Sequence, residues 1–149
     1  MAVRLQAEAF DTGAEIARLT EGRTDTGAVV TFTGLCRADG ETGTISAMTL
    51  EHFPGMAEEE LGRIETEART RWPLHDCLIV HRHGRLVPGD PIVLVVTLSA
   101  HREAAFAAAN FLMDYLKTTA PFWKKEESAG DAQWVEAKSS DEAARRLWR

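Results

Sequence analysis

Along this chain, short runs of β-branched and apolar residues give way to stretches in which apolar residues recur at helical spacing, and glycine or proline separates the two kinds of segment. Thr12 and Glu15 have capping-box spacing, which predicts a helix that starts there and stops at Gly22. GAVVTFTG (27–34) is β-branched and bounded by glycines, as expected of a buried strand. LCRADGETGT (35–44) is polar and glycine-rich and reads as a mobile loop. Strand character returns at Ile45 and lasts to Phe53, where Pro54-Gly55 ends it. Ala57, Leu61, Ile64 and Ala68 then mark a helix that stops at Trp72-Pro73, because a residue before proline avoids the α region. Cys77 to His83 reads as a strand, Pro88-Gly89-Asp90 as a turn, and the almost wholly apolar 92–99 as a central strand covered on both faces. Ser99 is placed to cap a helix whose stripe is Phe106, Ala109, Met113 and Leu116, closed by Ala120-Pro121. A short strand at 134–137 and a terminal helix from Asp141 complete the pattern, and the mixed order argues an α+β fold.

The length of 149 residues fits one domain, 1–149, able to bury about 68–70% of its unfolded surface. Net charge is −6, from 17 basic and 23 acidic residues, which disfavours nonspecific nucleic-acid binding and makes any anion site a local basic pocket on an acidic body. The two cysteines, Cys36 and Cys77, are too few for a disulfide framework or a four-thiolate zinc site. The N-terminal MAVRLQAEAFDTG has no apolar run long enough for a signal peptide, and the apolar run 92–98 is far short of the ~20 residues of a membrane helix. These features predict a cytoplasmic protein with no membrane span.

Three groups of residues are candidates for chemistry. Ser99-Ala100-His101-Arg102 lies at a strand end and helix start, where free N–H groups and the helix dipole favour an anion and Arg102 could grip a phosphate with two bonds. The alternative is a solvated first turn. Lys117 stands before Pro121-Phe122-Trp123-Lys124-Lys125-Glu126, where lysines next to aromatic walls can act as acid–base groups or nucleophiles. The alternative is a set of helix-dipole partners. Arg37, in the glycine-rich loop after a strand, is a ligand residue or a solvated arginine. His81 and His83 share a strand face but have no obvious third ligand, so no metal site is expected, and Cys36 beside Arg37 could have a lowered pKa but reads as inert.

Taken together, GAVVTFTGLCR (27–37), LEHFPGM (50–56), RWPL (71–74), HRHGRLVPGD (81–90), SAHREAAF (99–106) and MDYLKTTAPFWKKE (113–126) resemble the large subunit of molybdopterin synthase over about four-fifths of the chain. The resemblance implies an α/β hammerhead fold with an additional α+β subdomain, and a homodimer within a heterotetramer. Each large subunit would take a small ubiquitin-like sulfur carrier whose C-terminal Gly-Gly thiocarboxylate enters the active site. It implies that sulfur passes to cyclic pyranopterin monophosphate to form the dithiolene of molybdopterin, with two carriers spent per product and no cofactor or metal. Carried over by position, Lys117 and Lys124 would be catalytic. Leu35, Cys36, Arg37, His101, Arg102, Lys125 and Glu126 would complete the substrate pocket. Leu35 stands where some members have lysine, so that side chain brings no charge. Two other readings compete: a non-catalytic adaptor for a ubiquitin-like partner, and a binding protein for another phosphorylated metabolite.

Overall fold

The computed structural model describes residues 3–118, 122–128, 131–135 and 148. Its elements run β1 (Val3–Gln6), α1 (Thr12–Thr20), β2 (Ala28–Leu35), β3 (Asp39–Gly40), β4 (Gly43–Thr44), β5 (Ala47–His52), α2 (Met56–Arg71), β6 (Leu74–Arg82), β7 (Gly84–Leu86), β8 (Pro91–Ser99), α3 (Arg102–Thr118), β9 (Phe122–Ser128) and β10 (Asp131–Val135). The mixed α+β class is as predicted.

The apolar run at 92–99 became a strand with neighbours on both sides. One four-stranded sheet has the order β1-β6-β8-β2, and its β6 and β2 both pair antiparallel with β8. Alternation sends Val93 and Val95 to one face and Leu94, Val96 and Leu98 to the other. The first face packs with Leu61, Ile64 and Ala68 of α2 and with Phe111, Leu112 and Leu116 of α3, while Leu19 of α1 and Phe10 cover the second. The second four-stranded sheet has the order β10-β9-β5-β7, and a small cluster of Cys36, Ile45, Met48, Leu50 and Leu86 packs beside it.

Several local expectations are corrected. Thr12 does not cap α1: Asp11 does, accepting from the Ala14 amide at 3.0 Å, while Glu15 pairs with Arg4 at 2.6 Å. Ser99 does not cap α3, because its hydroxyl donates to the Pro73 carbonyl at 2.9 Å. Phe106 is 61% exposed and stands outside the stripe, which runs through Ala105, Ala108, Ala109, Phe111, Leu112 and Leu116. The loop 35–44 holds the β3–β4 hairpin, and residues 122–128, beyond the expected helix stop at Ala120-Pro121 and assigned no element from the sequence, form a strand between β5 and β10. The β3–β4 ladder is local, but the hairpin is held by Glu126 and the β9 strand by β5, partners distant in sequence that local pattern does not reveal. The expected strand at 134–137 is β10, ending at Val135; 136–137 and the terminal helix from Asp141 lie outside the described residues.

The aromatic seam that fastens α3 sets a measurable stability. The fully buried Phe111 ring meets Tyr115 at 4.7 Å, Trp72 at 5.4 Å and Trp148 at 5.7 Å between centroids. Phe111→Ala should lower the unfolding free energy by about 3–5 kcal/mol, read from urea denaturation followed by tryptophan fluorescence. A loss below about 1 kcal/mol would show that the seam does not hold the helix.

Candidate active site

A cleft of about 340 Å³ opens where the ends of β2, β6 and α3 meet the second sheet. That volume lies within the roughly 300–1,000 Å³ of small-molecule sites. The β3–β4 hairpin forms one wall, β9 another, and the last turn of α3 a third. Three cationic side chains line it: Arg37 from the segment after β2, Lys117 from the last turn of α3, and Lys124 from β9. Arg37 and Lys117 are exposed, and the Lys124 side chain is 32% exposed. Several cations in one partly enclosed cleft favour anionic ligands, since like charges brought into low dielectric repel unless countered.

Strand alternation decides which residues of the 122–126 segment take part. Phe122, Lys124 and Glu126 line the cleft. Lys125 points to the opposite face of β9, with its ammonium 5.3 Å from the Trp134 ring centroid. Thus Lys125, expected in the substrate pocket, is not brought there within one chain. Leu35 and Cys36 are both at the cleft, Leu35 being 56% exposed and Cys36 buried. Burial, reinforced by Asp90 and Glu126 and opposed by Lys124, pushes the Cys36 thiol pKa up, so the possibility of a lowered pKa beside Arg37 is corrected.

Glu126 is 2% exposed yet carries its charge. Its carboxylate accepts from the Glu41 amide at 3.0 Å, the Thr42 amide at 2.9 Å and the Thr42 hydroxyl at 2.8 Å, and Lys124 Nζ lies 3.8 Å away. Burial by itself would raise its pKa, but the Thr42 and Glu41 amides, the Thr42 hydroxyl and Lys124 together hold it below the usual carboxylate value. The carboxylate therefore ties the hairpin to β9. Gly40 makes this approach possible: a Cβ there would come within 2.5 Å of a Glu126 oxygen. The expected mobile loop is in this respect an anchored wall.

His101 and Arg102 are not in this cleft. They line a shallow exposed surface with Gly27, Ala100 and Glu103 at the opposite end of α3. Arg102 and Lys117 bound nearly the whole helix, and a rise of 1.5 Å per residue separates their backbones by about 22 Å. Within one chain the predicted residues thus form two half-sites. Phe122, expected only as an aromatic neighbour of the lysines, and the hairpin, whose role the sequence left open, both form walls of the cleft, and His81, set aside as a metal ligand, stands at the cleft wall. The alternation that places Phe122 and Lys124 on one face was available once 122–128 was taken as a strand. Among the described residues, no group of three or more His, Cys, Asp or Glu is placed to hold a metal ion.

Comparison with known proteins identifies the family. Residues 5–119 match the family model described as MoaE protein, and the chain belongs to that family. A Mesorhizobium japonicum protein named molybdopterin synthase catalytic subunit is 59% identical over 149 residues, spanning 99% of this chain and 92% of its own length. Among solved structures, the molybdopterin biosynthesis MoaE protein from Burkholderia ambifaria superposes with a TM-score of 0.84 at 48% identity, covering 99% of this chain and 98% of that one. Molybdopterin synthase from Staphylococcus aureus superposes with a TM-score of 0.82 at 31% identity, covering 91% and 98% respectively.

The Glu126 anchor gives a test with a defined sign. A carboxylate whose pKa is lowered on folding contributes stability that is complete above the ordinary value of 4.5 and is lost as pH falls through its folded value. In an acid titration followed by NMR, the Glu41 and Thr42 amide resonances should shift together with a midpoint below 4.5. Glu126→Gln keeps the volume but turns an N–H donor toward donors, and should loosen the hairpin by about 1.5–3 kcal/mol in amide exchange at those two residues. Unchanged exchange there would show that the carboxylate does not hold the wall.

Proposed function

We propose that this chain is the catalytic subunit of molybdopterin synthase, which transfers sulfur from the thiocarboxylated C-terminus of a small ubiquitin-like carrier to cyclic pyranopterin monophosphate and so forms the dithiolene of molybdopterin. The observation that carries this reading is the convergence of Arg37, Lys117 and Lys124 on one cleft of an acidic chain of net charge −6, where the carboxylate of Glu126 is taken up by the hairpin. Both reactants are anions: the pterin carries a phosphate and the carrier tail ends in a thiocarboxylate. Residues 1–149 would make one domain with the α/β hammerhead fold and its α+β elaboration, working in the cytoplasm. Among the described residues no helix is long and apolar enough to cross a membrane.

In this reading Lys117 lies nearest the carrier tail and the reacting carbon, and Lys124 is a second acid–base or electrostatic group. Arg37, His101 and Arg102 hold the phosphate and the pterin, Leu35 and Cys36 contribute wall rather than charge, and Glu126 keeps the hairpin in place. The sulfur comes from the carrier, in keeping with the buried Cys36 and Cys77 thiols, whose pKa values are both raised, Cys77 to about 12 by burial.

The two half-sites become one if two chains assemble about a two-fold axis, and β2 supports that arrangement. Among the described residues it is an edge strand, hydrogen-bonded to β8 on one side, and it exposes Val29 (39%), Phe32 (40%) and Leu35 (56%). An edge with this apolar exposure is a template for pairing. The strand starts beside Gly27, at the His101–Arg102 surface, and ends at Leu35, at the cleft. Antiparallel pairing with the same strand of a second chain would exchange the ends, setting His101 and Arg102 of one subunit against the cleft of its mate. The heterotetramer would then be this homodimer with one carrier at each cleft.

Two experiments test this reading. With thiocarboxylated carrier and cyclic pterin, Lys117→Ala should nearly abolish dithiolene formation while fold and dimer persist. Lys117→Arg should fail as well, because arginine keeps the charge but does not release a proton at working pH; full activity in Lys117→Arg would reduce the role to electrostatics. Rescue of these variants by excess carrier would favour the adaptor reading, and turnover independent of carrier would favour the phosphorylated-metabolite reading. The second experiment pairs one chain carrying Lys117→Ala with another carrying Arg102→Ala, each inactive as a homodimer. A shared site leaves one intact pocket, so activity should return to about half per dimer if sites are independent. A dead mixed dimer would mean that each pocket draws both residues from its own chain.

A further inference from the structure

Four polar or charged side chains are buried among the described residues: His81, Thr97, Ser99 and Glu126. Three have full partners. Thr97 donates to the Ala105 carbonyl at 2.7 Å, Ser99 to the Pro73 carbonyl at 2.9 Å, and Glu126 receives the three hairpin donors. His81 uses one ring nitrogen. Its Nδ1 lies 2.8 Å from the Arg82 carbonyl oxygen, and a carbonyl only accepts, so Nδ1 carries the proton and donates. The ring is neutral, because burial, with Lys117, His52 and His83 adding to it and the Arg82 bond opposing, brings its pKa down to about 4. A neutral ring with its proton on Nδ1 leaves Nε2 as a lone-pair acceptor. Among the described residues Nε2 has no hydrogen-bond partner, and His81 lines the cleft alongside Lys117 and Lys124.

The ring cannot turn away to find a partner elsewhere. Phe122 stacks on it with centroids 4.0 Å apart and planes 15° from parallel, while the Arg82 carbonyl fixes its rotation. Nε2 is thus held in a fixed orientation at the cleft wall, where an occupant that offers an N–H can pair with it. Arg37, Lys117 and Lys124 are donors, suited to the anionic ends of the ligands; the acceptors that share the cleft are the carboxylates of Asp39 and Glu41 on the hairpin and of Glu126, which the hairpin donors already engage, so His81 is the neutral acceptor of the wall. We propose that His81 is a ligand-recognition residue whose Nε2 accepts a hydrogen bond from an N–H group of the ligand in the cleft. This rests on the function proposed above, which supplies two sources of such an N–H: the ring and amino groups of the pterin, and the backbone amides of the carrier's Gly-Gly tail.

Nitrogen NMR of the wild-type dimer labelled with ¹⁵N-histidine reads the contact without turnover. Two probes are added separately: cyclic pyranopterin monophosphate, and carrier ending in the ordinary Gly-Gly carboxylate. The His81 Nε2 resonance should shift with one of them, which identifies the source, while Nδ1 keeps its proton. In the assay, His81→Phe preserves ring stacking and removes the acceptor. It should raise KM for the same source about tenfold with a smaller change in kcat, and His81→Gln, which restores an acceptor oxygen, should recover part of that loss. If both probes bind and the Nε2 resonance moves with neither, or if a folded His81→Phe leaves both KM values unchanged, the assignment is overturned while the proposed function stands. If neither probe binds the wild-type dimer, the function itself is overturned and the assignment with it. Should His81→Phe fail to fold, the NMR result on the wild-type protein decides.

Discussion

A buried carboxylate is tolerated only where donors surround it, and the shape of this cleft follows from how Glu126 meets that requirement. Its oxygens draw two amides and a hydroxyl from the hairpin at 41–42 and bring Lys124 to 3.8 Å. The hairpin has a two-residue ladder, too short to hold itself in water, so its position derives from this contact. The same strand that carries Glu126 presents Lys124 and Phe122 on the same face, and Phe122 in turn fixes the His81 ring. One strand with alternating side chains therefore sets a charge, an aromatic support and an anchor within a single wall.

The two ends of α3 differ in electrostatic character. Lys117 sits in the last turn, where the helix dipole favours a cation. Arg102 opens the helix, where the dipole opposes it, with Glu103 beside it in the first turn. A phosphate bound at the Arg102 end would be attracted by both the guanidinium and the helix N-terminus. The helix thus carries one cation suited to its own end and another suited to a bound anion, about 22 Å apart along the backbone. A two-fold assembly that joins the start of one helix to the end of another would place both kinds of cation around a single substrate, and the exposed apolar edge of β2 has the length and direction for that exchange.

Much of the scaffold was legible from the residues alone. The apolar run before Ser99 could only be a strand covered on both faces, and the spacing of Ala57, Leu61, Ile64 and Ala68 described a helix with one buried stripe, which is what α2 buries. The family signature brought Arg37, Lys117, Lys124 and Glu126 to notice, and these four line one cleft. Each of these features rests on local periodicity or on a motif of a few residues. The sequence could not say that Asp11 rather than Thr12 would cap α1, nor that the Ser99 hydroxyl would turn to Pro73, because each choice depends on which partner comes within reach.

Tertiary structure alone decided the cleft. Residues 122–127 pair with 47–52, and Glu126 reaches residues 84 and 85 positions earlier in the chain, distances over which no local pattern carries information. Strand pairing then separated neighbours that look equivalent in the sequence, turning Lys124 into the cleft and Lys125 toward Trp134. It also brought His81 against Phe122 and kept His101 and Arg102 at the far end of α3. The residue types that welcome an anion were set by the sequence. Which of them share one pocket was set by the pairing of distant strands and by the rigid length of a helix, because side chains meet only where the folded backbone carries them.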